Sequence, residues 1–280
     1  MRTVLRALTA VAAAGIALAV AAPSANAIPL DNIRVAHRGA TTKSIAEGTL
    51  ASYKYAVKNH ADILDGDVRW TKDSPDPDHV GTMVISHDAT LNRVTNCSGK
   101  VSNKLWTYIR DHCRTSKSTG SQRLLKLSEL LAYAKSTGKP VALQIKLTSL
   151  TNGQASQFWK AVRTSRVVLE ASSGQLPSMN KIKKLDKADK TYRINYAFVT
   201  LGHHGWPSVS FIRSVGTSVH ARLEIPSSVM HKYQAAHIPV YLFTGQTTAD
   251  YRRMVKLGPY GVVVDDVGKF ERWRNSLSGS

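Results

Sequence analysis

Two histidines, two closely spaced aspartates and two basic residues carry most of the chemistry this chain offers. His37-Arg38-Gly39 ends the run Ile33-Arg34-Val35-Ala36, Asp65-Gly66-Asp67 lies in an apolar stretch, and His87-Asp88 follows Met83-Val84-Ile85-Ser86. Imidazoles titrate near pH 6.5, so His37 and His87 can divide the work of taking and giving a proton. Asp65 and Asp67 are two positions apart and share one face of an extended strand. If that face points inward, the carboxylates repel unless a hard divalent cation, Mg²⁺ or Ca²⁺, neutralises them. On an edge strand they would simply face water. Arg38 and Lys146 supply fixed positive charge for the non-bridging oxygens of a phosphodiester. The remaining histidines, His60, His79, His112, His220, His231 and His237, are expected to be structural, and His203-His204 to sit in a loop.

The elements that must position these groups alternate in type. Short β-branched runs predict strands over 33–37, 63–68, 83–86, 141–147, 167–171, 196–201, 219–225, 240–244 and 261–264. Between them, helices are expected over 49–59, 126–137, 155–164, 179–186, 209–215, 227–236 and 249–256. Leu127, Leu130, Leu131 and Ala134 form the apolar stripe of a helix laid on a core, capped at or just before Ser128 and stopped by Gly138-Lys139-Pro140. Strands alternating with helices imply parallel pairing through right-handed crossovers. Roughly eight such units predict a (β/α)₈ barrel, with an open doubly wound sheet as the alternative. Reactive residues of such a barrel sit at the C-terminal ends of its strands, which is where His37, Asp65, Asp67 and His87 fall. Residues 90–122 break the alternation and read as a polar, cysteine-containing insertion over one end of the fold.

Arg2 and Arg6 precede an apolar stretch from Ala10 to Ala22, and Ala25-Asn26-Ala27 has the form of a signal-peptidase site. Residues 1–27 are therefore expected to be removed on export. That leaves 253 of 280 residues as one barrel domain, 28–280, in a secreted protein with no membrane-spanning segment. Formal charge is +19, or +17 without Arg2 and Arg6, a balance that favours anionic partners, including anionic membrane surfaces or wall polymers. The basic residues are spread out. The one dense run, 181–190, reads as a solvated helix face, so no nucleic acid is expected as partner. A monomer is expected. Cys97 and Cys113 are the only cysteines. In an exported chain an even count suggests one disulfide, with two free buried thiols as the alternative.

The ordered motifs resemble those of the glycerophosphodiester phosphodiesterase family, whose pattern runs His-Arg-Gly, Pro-Glu-Asn-Thr, Glu-x-Asp, Thr-Lys-Asp and His-Asp. Here they read His37-Arg38-Gly39, Ala46-Glu47-Gly48-Thr49, Asp65-Gly66-Asp67, Thr71-Lys72-Asp73 and His87-Asp88, followed by Leu91-Asn92-Arg93-Val94-Thr95. The resemblance is close from Ile33 to about Gly99 and continues beyond by strand order. It implies a TIM barrel, His37 and His87 as the acid–base pair, Arg38 on phosphate, Asp65 and Asp67 as ligands of one divalent cation, and Glu47 as a supporting residue. A third ligand would come from a Glu-x-Lys strand, which here reads Gln144-Ile145-Lys146. An amide in that place removes one charge and should weaken the ion. Asp65 is one methylene shorter than the family's glutamate, and Phe243-Thr244 replaces a Trp-Thr wall.

The resemblance implies a secreted, metal-assisted hydrolase of glycerophosphodiesters. Two rivals are a sphingomyelinase D-like or lysophospholipase D-like enzyme, toward which the cysteine loop leans, and a non-catalytic barrel that binds phosphates or lipids. Small-molecule or lipid phosphodiesters are the expected substrates.

Overall fold

The structure, a computed structural model, describes residues 32–72, 80–116, 122–189 and 194–278. The expected signal peptide, His79, Asp73 and residues 117–121 of the insertion lie outside them.

Among the described residues, nine strands and nine α-helices follow in chain order: β1 (Ile33–Ala36), α1 (Leu50–Lys58), β2 (Ile63–Trp70), β3 (Met83–Ile85), α2 (Trp106–His112), α3 (Leu127–Thr137), β4 (Val141–Ile145), α4 (Asn152–Val162), β5 (Val167–Ala171), α5 (Leu176–Ala188), β6 (Asn195–Thr200), α6 (Val209–Val215), β7 (Ser218–Arg222), α7 (Ser227–Ala235), β8 (Val240–Gly245), α8 (Thr248–Leu257), β9 (Gly261–Val264) and α9 (Val267–Ser278). Eight of the strands, all but β3, are parallel and close on themselves in the order β1-β2-β4-β5-β6-β7-β8-β9, with β9 returning to β1. The barrel is therefore the one the alternation predicts.

One strand departs from that expectation. β3 pairs antiparallel with the end of β2, Val68 to Ile85 and Trp70 to Met83, and is not a barrel stave. β2 consequently runs on to Trp70, beyond the expected end at Val68, because β3 takes up its outer hydrogen-bonding groups. Two helices are additional to those expected. In α2, Trp106 and Ile109 are buried and, with Cys113, join Val84, Leu91, Val101 and Leu124 in a small core of their own. In α9, Phe270 and Trp273 pack against Tyr251 of α8. The Cys97–Cys113 disulfide is formed, with Cα atoms 5.3 Å apart, and closes this insertion.

Strand alternation sorts side chains into two layers. Ala36, Leu64, Leu143, Leu169 and Val262 point outward and join the core beneath the helices. Val35, Ile63, Ala142, Tyr241 and Val263 point inward and form the barrel floor. Further toward the C-terminal ends of the strands the inward positions become polar: His37, Asp65, Asp67, Gln144, Glu170 and His220. The floor excludes water from below, so the polar layer opens only at the C-terminal rim. Basic α5 behaves as expected of a solvated face: Met179 and Ile182 are buried while Lys184 and Lys187 are exposed.

Candidate active site

A cavity of about 360 Å³ occupies the C-terminal mouth of the barrel. His37, Arg38, Asp65, Asp67, His87, Gln144 and Lys146 all line it, together with Glu170, His220 and Phe243. Every expected site residue except Glu47 thus reaches one cavity. Glu47 lies just behind, against Arg38 and His87.

His37 leaves β1 in a tight turn. Arg38 has φ 56° and Gly39 φ 91°, the left-handed region where a side chain is strained. A Cβ on Gly39 would stand 2.3 Å from Ser52 Oγ, so glycine alone fits. The turn is held from two sides: Arg38 N–H donates to Asp65 Oδ2 at 2.8 Å, and Gly48 N–H donates to the Arg38 carbonyl at 3.0 Å. His37 Nδ1 lies 2.6 Å from Asp265 Oδ1, and Gln246 Nε2 donates to Asp265 Oδ2 at 2.6 Å. Burial opposes a charge on His37, but the bond to Asp265 and the field of Asp65 outweigh it and raise its pKa above the ordinary value.

His87 is built the same way. Its Nδ1 lies 2.8 Å from Asp88 Oδ1, and Arg69 donates to its carbonyl at 3.0 and 2.8 Å. Burial dominates here, and with Lys146 and Arg38 opposing protonation it holds the His87 pKa below the ordinary value despite Asp67 and Asp88. Both imidazoles are anchored through Nδ1, which leaves Nε2 for proton transfer, and their environments bias them in opposite directions.

Arg93, from the insertion, ties the wall together. It donates to Asp88 at 2.6 Å and to both oxygens of Glu47 at 2.9 and 2.6 Å. Glu47 also receives Arg38 at 3.3 Å. Burial disfavours the Glu47 charge, but the Arg93 bonds and the two guanidinium charges prevail and keep its pKa below the usual carboxylate range. An ionised, clamped Glu47 therefore fixes Arg38 beside the cavity.

Asp65 and Asp67 point inward and are almost fully buried. Burial first, then the Asp67 charge, pushes Asp65 up to about 6, with His37 and Arg38 pulling the other way. Lys146 Nζ donates to Gln144 Oε1 at 2.7 Å and stands 3.4 Å from Asp67 Oδ1, while Arg38 Nε stands 3.5 Å from Asp67 Oδ2. Among the described residues, no group of three His, Cys, Asp or Glu side chains is placed to hold a metal ion. The chemistry of the donor set nevertheless suits a hard divalent cation: two buried carboxylates and an amide oxygen face one cavity. The contacts from Lys146 and Arg38 to Asp67 are too long to be good hydrogen bonds, so they leave its oxygens available.

Three groups at the site were not expected from sequence: Glu170 and His220 line the cavity, and Asp265 holds His37 from behind. Asp265 directly follows β9, so the strand-end rule that located His37 also points to it. Glu170 is a lone acid inside the apolar run of β5. His220, expected to be structural, stacks on Tyr241 at 4.6 Å and lies 3.2 Å from Glu170 Oε1. Burial pushes His220 down to about 3, and burial with Asp65 and Asp67 nearby holds Glu170 well above the carboxylate range. His220 is therefore a neutral imidazole beside Glu170. Phe243 lines the cavity at the place where an aromatic wall was expected. His203 and His204 lie in a turn, as expected, but line a neighbouring groove of about 390 Å³ with Phe198, Trp206 and Phe211.

A closed parallel barrel with two anchored imidazoles, two basic residues and paired carboxylates at its mouth defines a phosphoric diester hydrolase. Residues 37–269 match the glycerophosphoryl diester phosphodiesterase family, and the chain belongs to that family. It is 25% identical over 241 residues, covering 83% of this chain and 93% of the relative, to a glycerophosphodiester phosphodiesterase of Caldanaerobacter subterraneus. A probable glycerophosphodiester phosphodiesterase 1 of Mycobacterium tuberculosis is 33% identical over 120 residues, 40% of this chain and 41% of the relative. In fold, the chain is similar to an Oleispira antarctica phosphodiesterase solved with the product sn-glycerol-3-phosphate, with TM-score 0.72, 16% identity and coverage of 86% and 96%. It is likewise similar to a glycerophosphodiester phosphodiesterase structure from Agrobacterium tumefaciens, with TM-score 0.66, 18% identity and coverage of 86% and 99%.

Proposed function

We propose that this protein is an exported glycerophosphodiester phosphodiesterase that works by two-histidine acid–base catalysis with the help of one divalent cation. The observation that carries the reading is the pair of imidazoles in one cavity, each held at Nδ1 by an aspartate and biased oppositely in pKa. Support for export comes from the Cys97–Cys113 disulfide, a bond that persists in oxidising compartments, and no helix among the described residues is long and apolar enough to cross a membrane.

The opposite biases make His87 the readier base and His37 the readier acid. His87 Nε2 takes the proton of the substrate's vicinal hydroxyl, whose oxygen attacks phosphorus. The bond from phosphorus to the departing alcohol breaks, and His37 Nε2 gives its proton to that oxygen. The resulting cyclic phosphate is opened by water with the two roles exchanged, or released. Arg38, fixed by Glu47, and Lys146 hold the non-bridging oxygens and stabilise the charge that builds on them. A cation held by Asp65, Asp67 and Gln144 would add Lewis-acid stabilisation at the same oxygens. The groove walled by Phe198, Trp206 and Phe211 adjoins the cavity through Ser172, Val199 and Leu201 and offers room for the alcohol portion.

Phosphorus NMR of a panel of glycerophosphodiesters and lysophospholipids, with and without chelator, tests this reading. Glycerophosphodiesters should be cleaved and chelator should suppress the reaction. Cleavage confined to lysolipids would favour the phospholipase D-like alternative, and silence on every substrate would favour a binding protein.

A further inference from the structure

We infer that Glu170 supplies the third carboxylate of the cation site, one strand over from the place where Gln144 lacks it. The inference rests on the cation reading above. β4 and β5 pair in parallel with Gln144 directly opposite Glu170, and β2 pairs with β4 with Asp67 directly opposite Gln144. Asp67, Gln144 and Glu170 are thus consecutive across three neighbouring strands at one level of the barrel. Strand neighbours stand roughly 4.8 Å apart, so moving a carboxylate from β4 to β5 shifts it by one such step. A glutamate side chain spans much of that distance.

Alternation fixes the direction. Leu169 and Ala171 on either side of Glu170 enter the outer core, so Glu170 must point inward, and it lines the same cavity as Asp65 and Asp67. Its side chain is more than nine-tenths buried, and among the described residues its one side-chain polar contact is His220, on Oε1. A carboxylate has about four lone-pair sites, so most of the Glu170 acceptor capacity faces the cavity unused. Burying an acid in a barrel without a cationic partner is costly. Asp65, Asp67 and Glu170 are not gathered closely enough to hold an ion as they stand; a shared ion would draw Glu170 toward the two aspartates, removing that cost and restoring the charge count that Gln144 lowers.

Calorimetric titration of Mg²⁺ and of Ca²⁺ into four proteins decides the point: wild type, Glu170→Gln, Gln144→Glu, and the double variant. Thermal melts without metal establish that each is folded. Glu170→Gln should weaken the ion roughly tenfold or more, because affinity follows the number of charged oxygens. Gln144→Glu should tighten it, and the double variant should return close to wild type. The double variant also covers the case in which Glu170→Gln alone fails to fold. If Glu170 is no ligand, the double variant binds as tightly as Gln144→Glu, and Glu170→Gln binds like wild type; either result overturns the inference while leaving the cation reading intact. If none of the four proteins takes up either ion, both fail together.

Discussion

Asp265 Oδ1 lies 2.6 Å from His37 Nδ1, and the same carboxylate is steadied by Gln246. The arrangement sets the tautomer of His37, turns Nε2 toward the cavity and stabilises the imidazolium. Asp265→Asn should therefore lower the His37 pKa and move the alkaline limb of the rate profile to lower pH. The acid limb, set by deprotonation of His87, should stay in place. Turnover should fall about tenfold or more, with KM little changed. An unmoved alkaline limb would show that Asp265 does not govern His37.

In the parent enzyme the two limbs should straddle the ordinary imidazole value near 6.5. The base must be deprotonated and His87 is lowered, so activity is lost below that value as pH falls. The acid must be protonated and His37 is raised, so activity is lost above it as pH rises. A pH profile of kcat/KM checks both signs at once.

Arg93 joins the insertion to the catalytic wall through Glu47 and Asp88. Arg93→Ala should release Glu47 and loosen Arg38, lowering kcat/KM by about tenfold. Arg93→Lys should rescue poorly, because a single ammonium cannot bridge Asp88 and both oxygens of Glu47. Steady-state kinetics of the pair would show whether the guanidinium fork is what matters.

The disulfide should matter chiefly for stability. Cys97→Ser with Cys113→Ser frees a loop of sixteen-residue separation and should cost about 3 kcal/mol on a chain-entropy account. A lowered Tm with modestly reduced activity is expected, since the insertion keeps its own buried core around Trp106 and Ile109. Equal melting of the variant and the parent would show that this core alone fixes the loop.

The barrel was legible because its outward-facing strand positions and its helix stripes repeat with clear periods. Helix starts were less so. α4 begins at Asn152, three residues before the expected start, because Thr151 and Gln154 cap it reciprocally, a pattern visible in the sequence but masked by polar residues. α2 and α9 hide their apolar faces in largely polar stretches. The antiparallel turn of β3 leaves no local mark at all. Within the site, residues carried by contiguous motifs were found, whereas Asp265 follows β9, which closes beside β1 from the far end of the chain, and Glu170 sits in an apolar strand with no motif around it.

The cation site is tested by Asp67→Asn, which removes a buried carboxylate from the cavity. Titration of Mg²⁺ and Ca²⁺ should show binding lost, and turnover should fall with it. Normal ion binding in this variant would place the metal elsewhere, leaving Arg38 and Lys146 as the fixed charges on phosphate.

The central claim, that His37 and His87 together cleave a phosphodiester in this cavity, is tested most directly by following glycerophosphocholine by phosphorus NMR. Wild type should convert the diester to a cyclic phosphate or monoester. His37→Ala and His87→Ala should each be slower by ~10²-fold or more, and the double variant little slower than either single, because the two act as a unit. Near-normal conversion by either single variant, with folding intact, would contradict the account.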